Sequence, residues 1–274
     1  MVTVAPRLLT IAGSDSGGGA GIQADLKTFS ALGGYGMSVV AAITAQNTVA
    51  VTAVHEIPVD VVIAQLNAVL ADIGVDAVKT GMLANAELVG AISERLRDAR
   101  VAHLVVDPVM VAKGGDRLLR LDAVGAVRET LIPLASVVTP NLPEAEVLLE
   151  RRIETRDDMR RAARELVALG ARGAVVKGGH AEHGATVVDV FFDGVSLREF
   201  ESPRLDTSST HGTGCTFASA IAAYLAHGQP AAEAIARAKQ YLWQAIAHAY
   251  PIGHGHGPVH HFWPCWQPGQ PPPG

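Results

Sequence analysis

Cysteine is scarce in this chain of 274 residues, where Cys215 and Cys265 are the only two. They are too few and too far apart for a disulfide framework, which fits a reducing compartment. A basic surplus is missing as well. Lys and Arg number 22 against 27 Asp and Glu, a formal net charge of -5, and the cations are scattered, which argues against a nucleic-acid partner. No uncharged apolar run approaches the roughly 18 residues of a membrane helix. The opening Met-Val-Thr-Val-Ala-Pro-Arg lacks the basic start and apolar stretch of a signal peptide. A soluble, cytoplasmic protein with no membrane partner is expected. Also absent are the Lys of a Walker P-loop and the Gly-x-Gly-x-x-Gly of dinucleotide folds, so neither common nucleotide fingerprint applies.

What is present is alternation. Apolar residues make up 49% of the chain, enough at this length for one large core. Leu8 to Ala12 reads as a buried strand; Gly13 to Gly21 is a glycine-rich loop; Ile22, Leu26, Phe29 and Leu32 form a helical stripe that stops at Gly33-Gly34. Strands follow at Met37 to Ile43, Ala77 to Lys79, His103 to Val106, Ser136 to Thr139 and Gly173 to Lys177. Helices are expected at Val59 to Ile73, Glu87 to Arg97, Asp122 to Leu131, from Pro143, at Asp157 to Leu169 and at Pro230 to Ala249. Asp193-Gly194 between two β-prone runs, Thr186 to Phe192 and Val195 to Phe200, signals a hairpin. The pattern predicts an α/β fold: a mostly parallel central sheet with helices on both faces and an antiparallel hairpin at one edge. One domain is expected over 1–263, with a disordered proline-rich tail over 264–274.

In parallel sheets ligands bind beyond the carboxyl ends of the strands. Here those positions carry Gly13 to Gly21, Thr44 to Thr48, Lys79 to Met82, Asp107, Asn141 to Glu144 and Lys177 to Gly179. The glycine loop suits either close approach by a small substrate or a tight turn. Thr210 to Cys215, followed by an apolar helix from Thr216 to Leu225, suits an anion held by free N–H groups and the helix dipole, where a plain cap would need only one hydroxyl. Cys215 sits in that field, which should lower its pKa and make it a base or an acceptor; a small buried side chain is the other reading. Gln46 offers a paired donor and acceptor that match a ring nitrogen and exocyclic amine of an aminopyrimidine, or bonds its neighbours' backbone. Asp107, Asn141, Glu144 and Lys177 suit a nucleotide with Mg²⁺, or start turns. His254, His256, His260 and His261 with Cys265 lack a paired-ligand pattern for zinc, so a loop closing over the sheet edge is expected there.

Taken together, Ala12-Gly13-Ser14-Asp15-Ser16-Gly17-Gly18-Gly19-Ala20-Gly21-Ile22-Gln23-Ala24-Asp25, Thr44-Ala45-Gln46-Asn47-Thr48, Lys79-Thr80-Gly81-Met82, Asp107-Pro108-Val109-Met110, Thr139-Pro140-Asn141-Leu142-Pro143-Glu144-Ala145, His211-Gly212-Thr213-Gly214-Cys215-Thr216 and Gly255-His256-Gly257-Pro258-Val259 resemble the hydroxymethylpyrimidine/phosphomethylpyrimidine kinases. That family lies in the ribokinase-like superfamily, and the resemblance spans about residues 7 to 263. It implies ATP-dependent phosphorylation of 4-amino-5-hydroxymethyl-2-methylpyrimidine and of its monophosphate, for thiamine synthesis. It also implies that Gln46 reads the pyrimidine, with Gly13 and Met82 lining the pocket. Gly212, Thr213, Gly214 and Cys215 would form the anion hole, with Cys215 where sugar-kinase relatives hold an aspartate base. Asp107, Lys177 and Thr210 would serve the nucleotide, and Glu144 with Asp107 the Mg²⁺, directly or through water. ATP and Mg²⁺ are the expected cofactors, and a homodimer is an allowed assembly. Some related kinases that accept pyridoxal use a second cysteine near the position of Ala112, and Ala112 rules out that two-cysteine arrangement here. Pyridoxal kinase on the same fold and a non-catalytic pyrimidine-binding sensor are the alternatives.

Overall fold

In the computed structural model, which describes residues 5–110, 121–179, 184–266 and 269, neighbouring strand residues divide between two cores. Leu8, Ala77, Val105, Val137, Val175 and Phe191 pack in one cluster. Leu9, Val78, Leu104, Val106, Val138, Ala174, Val176 and Val190 pack in the other. Side chains alternate across a strand, so a sheet covered on both faces needs apolar residues at consecutive positions. The strands are β1 (Arg7–Asp15), β2 (Tyr35–Gln46), β3 (Val51–Glu56), β4 (Ala77–Thr80), β5 (Leu104–Val106), β6 (Val137–Val138), β7 (Ala174–Val176), β8 (Thr186–Phe192) and β9 (Leu197–Pro203). They form one sheet in the order β3-β2-β1-β4-β5-β6-β7-β8-β9. From β2 through β7 neighbours run parallel.

Helices α1 (Gly21–Ala31), α7 (Thr213–Ala226) and α8 (Ala231–Ala247) cover one face with Phe29, Phe217, Ile221, Ile235 and Tyr241. The other face is covered by α2 (Val59–Asp72), α3 (Ala86–Asp98), α4 (Leu121–Ala126), α5 (Leu142–Leu149) and α6 (Arg156–Ala168). They contribute Leu66, Ile92, Ala123, Leu148 and Leu166 to the core. Full burial of each large apolar side chain stabilises the fold by about 1.5–3 kcal/mol. The helix expected over Asp122 to Leu131 changes its winding midway, passing from α4 into a π-helical turn at Val127–Leu131. Among the described residues no helix is long and apolar enough to cross a membrane.

The hairpin expected at Asp193-Gly194 is the antiparallel pair β8–β9, closed at Phe192↔Leu197. Asp193 holds the turn by accepting the N–H groups of Val195 and Ser196. Strand β8 also runs antiparallel to β7, and the antiparallel pair β2–β3 closes the opposite edge. Strand β3 lies outside the expected elements, and β2 runs on through Gln46, past the expected end at Ile43. Packing also continues beyond 263: the Trp266 ring lies 4.4 Å from the His260 ring, and His260 Nε2 is 2.9 Å from the Trp266 carbonyl. Ala112 lies outside the described residues.

Candidate active site

A cleft of about 720 Å³ crosses the carboxyl ends of the central strands. Gly13, Asp15, Gln46, Met82 and His211 line one end; Val187, Leu205, Leu242, Trp243 and Ile246 line the other; Asp107, Glu144, Lys177 and Thr213 to Cys215 lie between. All the residues singled out for substrate, anion and nucleotide thus meet in one cleft, which Thr210 also lines. The apolar far wall went unread in the sequence, because its residues come from β8, the segment after β9 and α8 and share no motif.

The first turn of α7 is built without a side-chain cap. Its N-cap is Gly212, at φ 78°, and no hydroxyl bonds back to the helix. The first intrahelical bond runs from the Thr216 N–H to the Gly212 carbonyl at 2.9 Å. The N–H groups of the first turn have no intrahelical acceptor, and here they belong to residues that line the cleft. Gly212 also lies tight on the glycine loop, since a Cβ there would fall 1.8 Å from the Gly19 carbonyl oxygen. Gly212→Ala is therefore expected to lower stability by more than the 1–3 kcal/mol or so of left-handed strain alone. Denaturant melts would test this, and an unchanged midpoint would contradict it.

The cation at mid-cleft is Lys177, whose Nζ is 3.0 Å from Asp107 Oδ1 and 4.0 Å from Glu144 Oε2. Burial pushes its pKa down, but Asp107 and then Glu144 outweigh that, and it sits above the ordinary lysine value. Thr139 donates to the same Asp107 oxygen at 3.1 Å. Glu144 is held by a capping box at the start of α5: its N–H donates to Asn141 Oδ1 at 2.9 Å, and Asn141 N–H donates to Glu144 Oε2 at 2.8 Å. Asn141 thus has a cap to make. Burial raises Glu144 to about 7, Lys177 opposes this and the Asp107 charge reinforces it. A buried carboxyl pushed up beside another carboxylate suits a hard cation, which would relieve that repulsion.

Cys215 does not behave as the helix field alone predicts. Burial pushes its thiol up to about 11, with Lys79 opposing and the Asp25 and Asp107 charges adding to the rise. At neutral pH it is a thiol, not a thiolate. Beneath it, Lys79 is fully buried on Asp25, with Nζ 2.9 and 3.0 Å from the two carboxylate oxygens. Thr10 and Ser219 donate to the same carboxylate at 2.6 and 2.7 Å. On the far wall Lys239 Nζ donates to Asp189 Oδ2 at 2.6 Å while Asp189 Oδ1 accepts the Gly178 N–H at 2.9 Å, steadying the residue after Lys177.

At the other end, the Gln46 backbone N–H donates to the Ser16 hydroxyl oxygen at 2.8 Å, and its side-chain amide lies 3.1 Å from Thr44 Oγ1 and 3.4 Å from His211 Nε2. Asp15 is buried. Desolvation raises it, but His211, then the Ala20 and Gly17 N–H groups, more than compensate and hold it below the usual carboxylate range. The histidines of the C-terminal segment do not converge: the His260 ring packs at a tilt against Trp266, and His261 Nε2 meets Thr216 Oγ1 at 3.1 Å. Among the described residues no group of three or more His, Cys, Asp or Glu is placed to hold a metal. That segment instead closes over Thr48, as the loop expectation had it, through the His256 N–H on the Thr48 carbonyl at 2.8 Å.

Residues 15–260 match the family model of phosphomethylpyrimidine kinase. The chain belongs to that family. It is 53% identical over 262 residues to the hydroxymethylpyrimidine/phosphomethylpyrimidine kinase of Rhizobium meliloti, covering 94% of this chain and 98% of that one. It is 57% identical over 254 residues to the thiamine biosynthesis bifunctional protein ThiED of Geobacter sulfurreducens, covering 93% of this chain but 52% of that protein, so it spans about half of that relative. Among solved structures, an ADP complex of Bacillus subtilis pyridoxal kinase superposes with a TM-score of 0.88 at 42% identity, covering 94% of this chain and 98% of the other. The family's fold is therefore the ribokinase-like sheet expected from the motifs.

Proposed function

We propose that this family member transfers the terminal phosphoryl group of ATP to the hydroxymethyl oxygen of 4-amino-5-hydroxymethyl-2-methylpyrimidine. It then phosphorylates the resulting monophosphate, giving the diphosphate used in thiamine synthesis. The observation that carries this reading is the continuity of the cleft: Gln46, the first turn of α7 and Lys177 all line it. Gln46 pairs with the aminopyrimidine edge, Gly13 and Met82 form the pocket walls, and the apolar wall around Trp243 takes the nucleotide base. Thr210, Asp107 and Lys177 serve the ATP phosphates. The N–H groups of Gly212, Thr213, Gly214 and Cys215 meet the charge on the transferring group, which positioned dipoles stabilise best.

Asp107 and Glu144 fit Mg²⁺, since both are buried oxygen donors and the Asp107 charge adds to the rise of Glu144 that burial causes. When bound, the ion would supply charge neutralisation at the phosphates. A loose transition state needs little help from a base, so a neutral Cys215 thiol serves as a hydrogen-bond partner in the anion hole. Iodoacetamide should accordingly label Cys215 slowly at pH 8 and much faster toward pH 11, with the rate followed by mass spectrometry. Rapid labelling that is flat from pH 7 upward would show a thiolate and restore a base role.

The likeness to pyridoxal kinase favours a second acceptor, pyridoxal, on the same site. Parallel ADP-release assays with the pyrimidine alcohol, its monophosphate and pyridoxal separate the two; inert pyrimidines would defeat the first reading. A sensor without catalysis has no use for the nucleotide half of the cleft, and nucleotide binding by calorimetry tests it. Gln46→Leu should weaken pyrimidine binding about tenfold to a hundredfold while ATP binding stays within about twofold, because a buried amine loses its acceptor.

A further inference from the structure

Asp15 and His211 are 196 residues apart in the chain, yet His211 Nε2 lies 2.8 Å from Asp15 Oδ2. Asp15 is at the same time the organiser of the glycine loop. Its Oδ1 accepts the Gly17 N–H at 2.8 Å, and its Oδ2 accepts those of Gly19 and Ala20 at 3.0 and 2.8 Å. The imidazole lies against that loop, for a Cβ on Gly19 would come 2.4 Å from His211 Cδ2. The His211 backbone N–H donates to the Gly257 carbonyl at 3.0 Å. The segment around Gly257 is tied in turn to Thr48, whose Oγ1 accepts the Gly255 N–H at 3.2 Å. Residue 211 thereby joins the glycine loop, through its imidazole, to the C-terminal segment, through its backbone, next to Gly212. Its Nε2 also faces the Gln46 amide at 3.4 Å.

We propose that the Asp15–His211 pair is a positioning pair for phosphoryl transfer: it locks the acceptor pocket to the anion hole so that both move as one body. The proposal rests on the kinase reading of the cleft. Glycine loops hold their shape poorly by themselves, and a misplacement of about 1 Å between acceptor and donor groups costs on the order of a hundredfold in rate. Neither residue belongs to the nucleotide half, so the effect should fall on the acceptor side. A carboxylate only accepts, so Nε2 must bring the proton, and a glutamine at 211 can bring one from nearly the same place. An asparagine cannot reach it.

The test is steady-state kinetics on His211→Asn and His211→Gln with ATP and the pyrimidine alcohol. His211→Asn is expected to lose about a hundredfold in kcat/KM for the pyrimidine, with KM for ATP within about twofold of the parent, and His211→Gln to recover to within about tenfold. Equal losses in the two variants, or a KM for ATP that moves as far as that of the pyrimidine, would overturn the proposal. Hydrogen exchange on the unaltered protein probes the same coupling without relying on a variant's folding. Added pyrimidine should protect the amides of 17–20 and 211–215 together, and protection of one loop alone overturns the pair's role. If the pyrimidine is inert and pyridoxal is phosphorylated, the kinase reading fails in its substrate, while the Asn and Gln comparison run with pyridoxal still decides the pair.

Discussion

Lys177→Met should lower kcat by about a hundredfold to a thousandfold, the loss usually seen when one donor to a developing oxyanion is removed. The substitution takes away the charge that faces both Asp107 and Glu144, at 3.0 and 4.0 Å. It leaves two buried carboxyl groups to repel each other and any phosphate between them. The local frame should survive, because Thr139 still bonds Asp107 and the capping box still holds Glu144. Kinetics under saturating ATP read this directly. A methionine variant within about threefold of the parent would show that Lys177 serves the fold and not the reaction.

Lys79→Met should cost about 3–5 kcal/mol of stability, because removing one partner of a buried pair strands the other charge. Both side chains are fully buried, so water cannot solvate Asp25 in the variant. Against a typical total of about 5–15 kcal/mol, such a loss brings the protein close to unfolding. Adding Asp25→Asn should return much of it, since the amide oxygen still accepts from one of the Thr10 and Ser219 hydroxyls, the amide NH2 can donate to the other, and no charge is left buried. Urea melts of the single and double variants measure the difference. A single variant within about 1 kcal/mol of the parent, or a double variant no better than the single, would contradict this account of the pair.

The central strands and the helices were legible because each carries its own signal, an apolar run or a 3.6-residue stripe. Strand β3 was not, since both its faces are largely exposed and Val51 to Glu56 shows no apolar alternation. The strand-end clusters pointed to the cleft, as strand polarity in a parallel sheet dictates. The pairs that brace it were hidden: Asp25 and Lys79 are 54 residues apart, Asp189 and Lys239 are 50, and Asp15 and His211 are 196. For Cys215 the helix start is visible at Gly212, while the burial that raises the thiol and the Lys79, Asp25 and Asp107 charges around it depend on residues distant in the chain.

The most direct measurement is the identity of the product after the protein is given the pyrimidine alcohol, excess ATP and Mg²⁺, read by phosphorus NMR and mass spectrometry. The account requires the monophosphate to appear first and the diphosphate to accumulate after it, with ADP released at each step. Recovery of unmodified pyrimidine alcohol, from protein that still binds ATP, would contradict it.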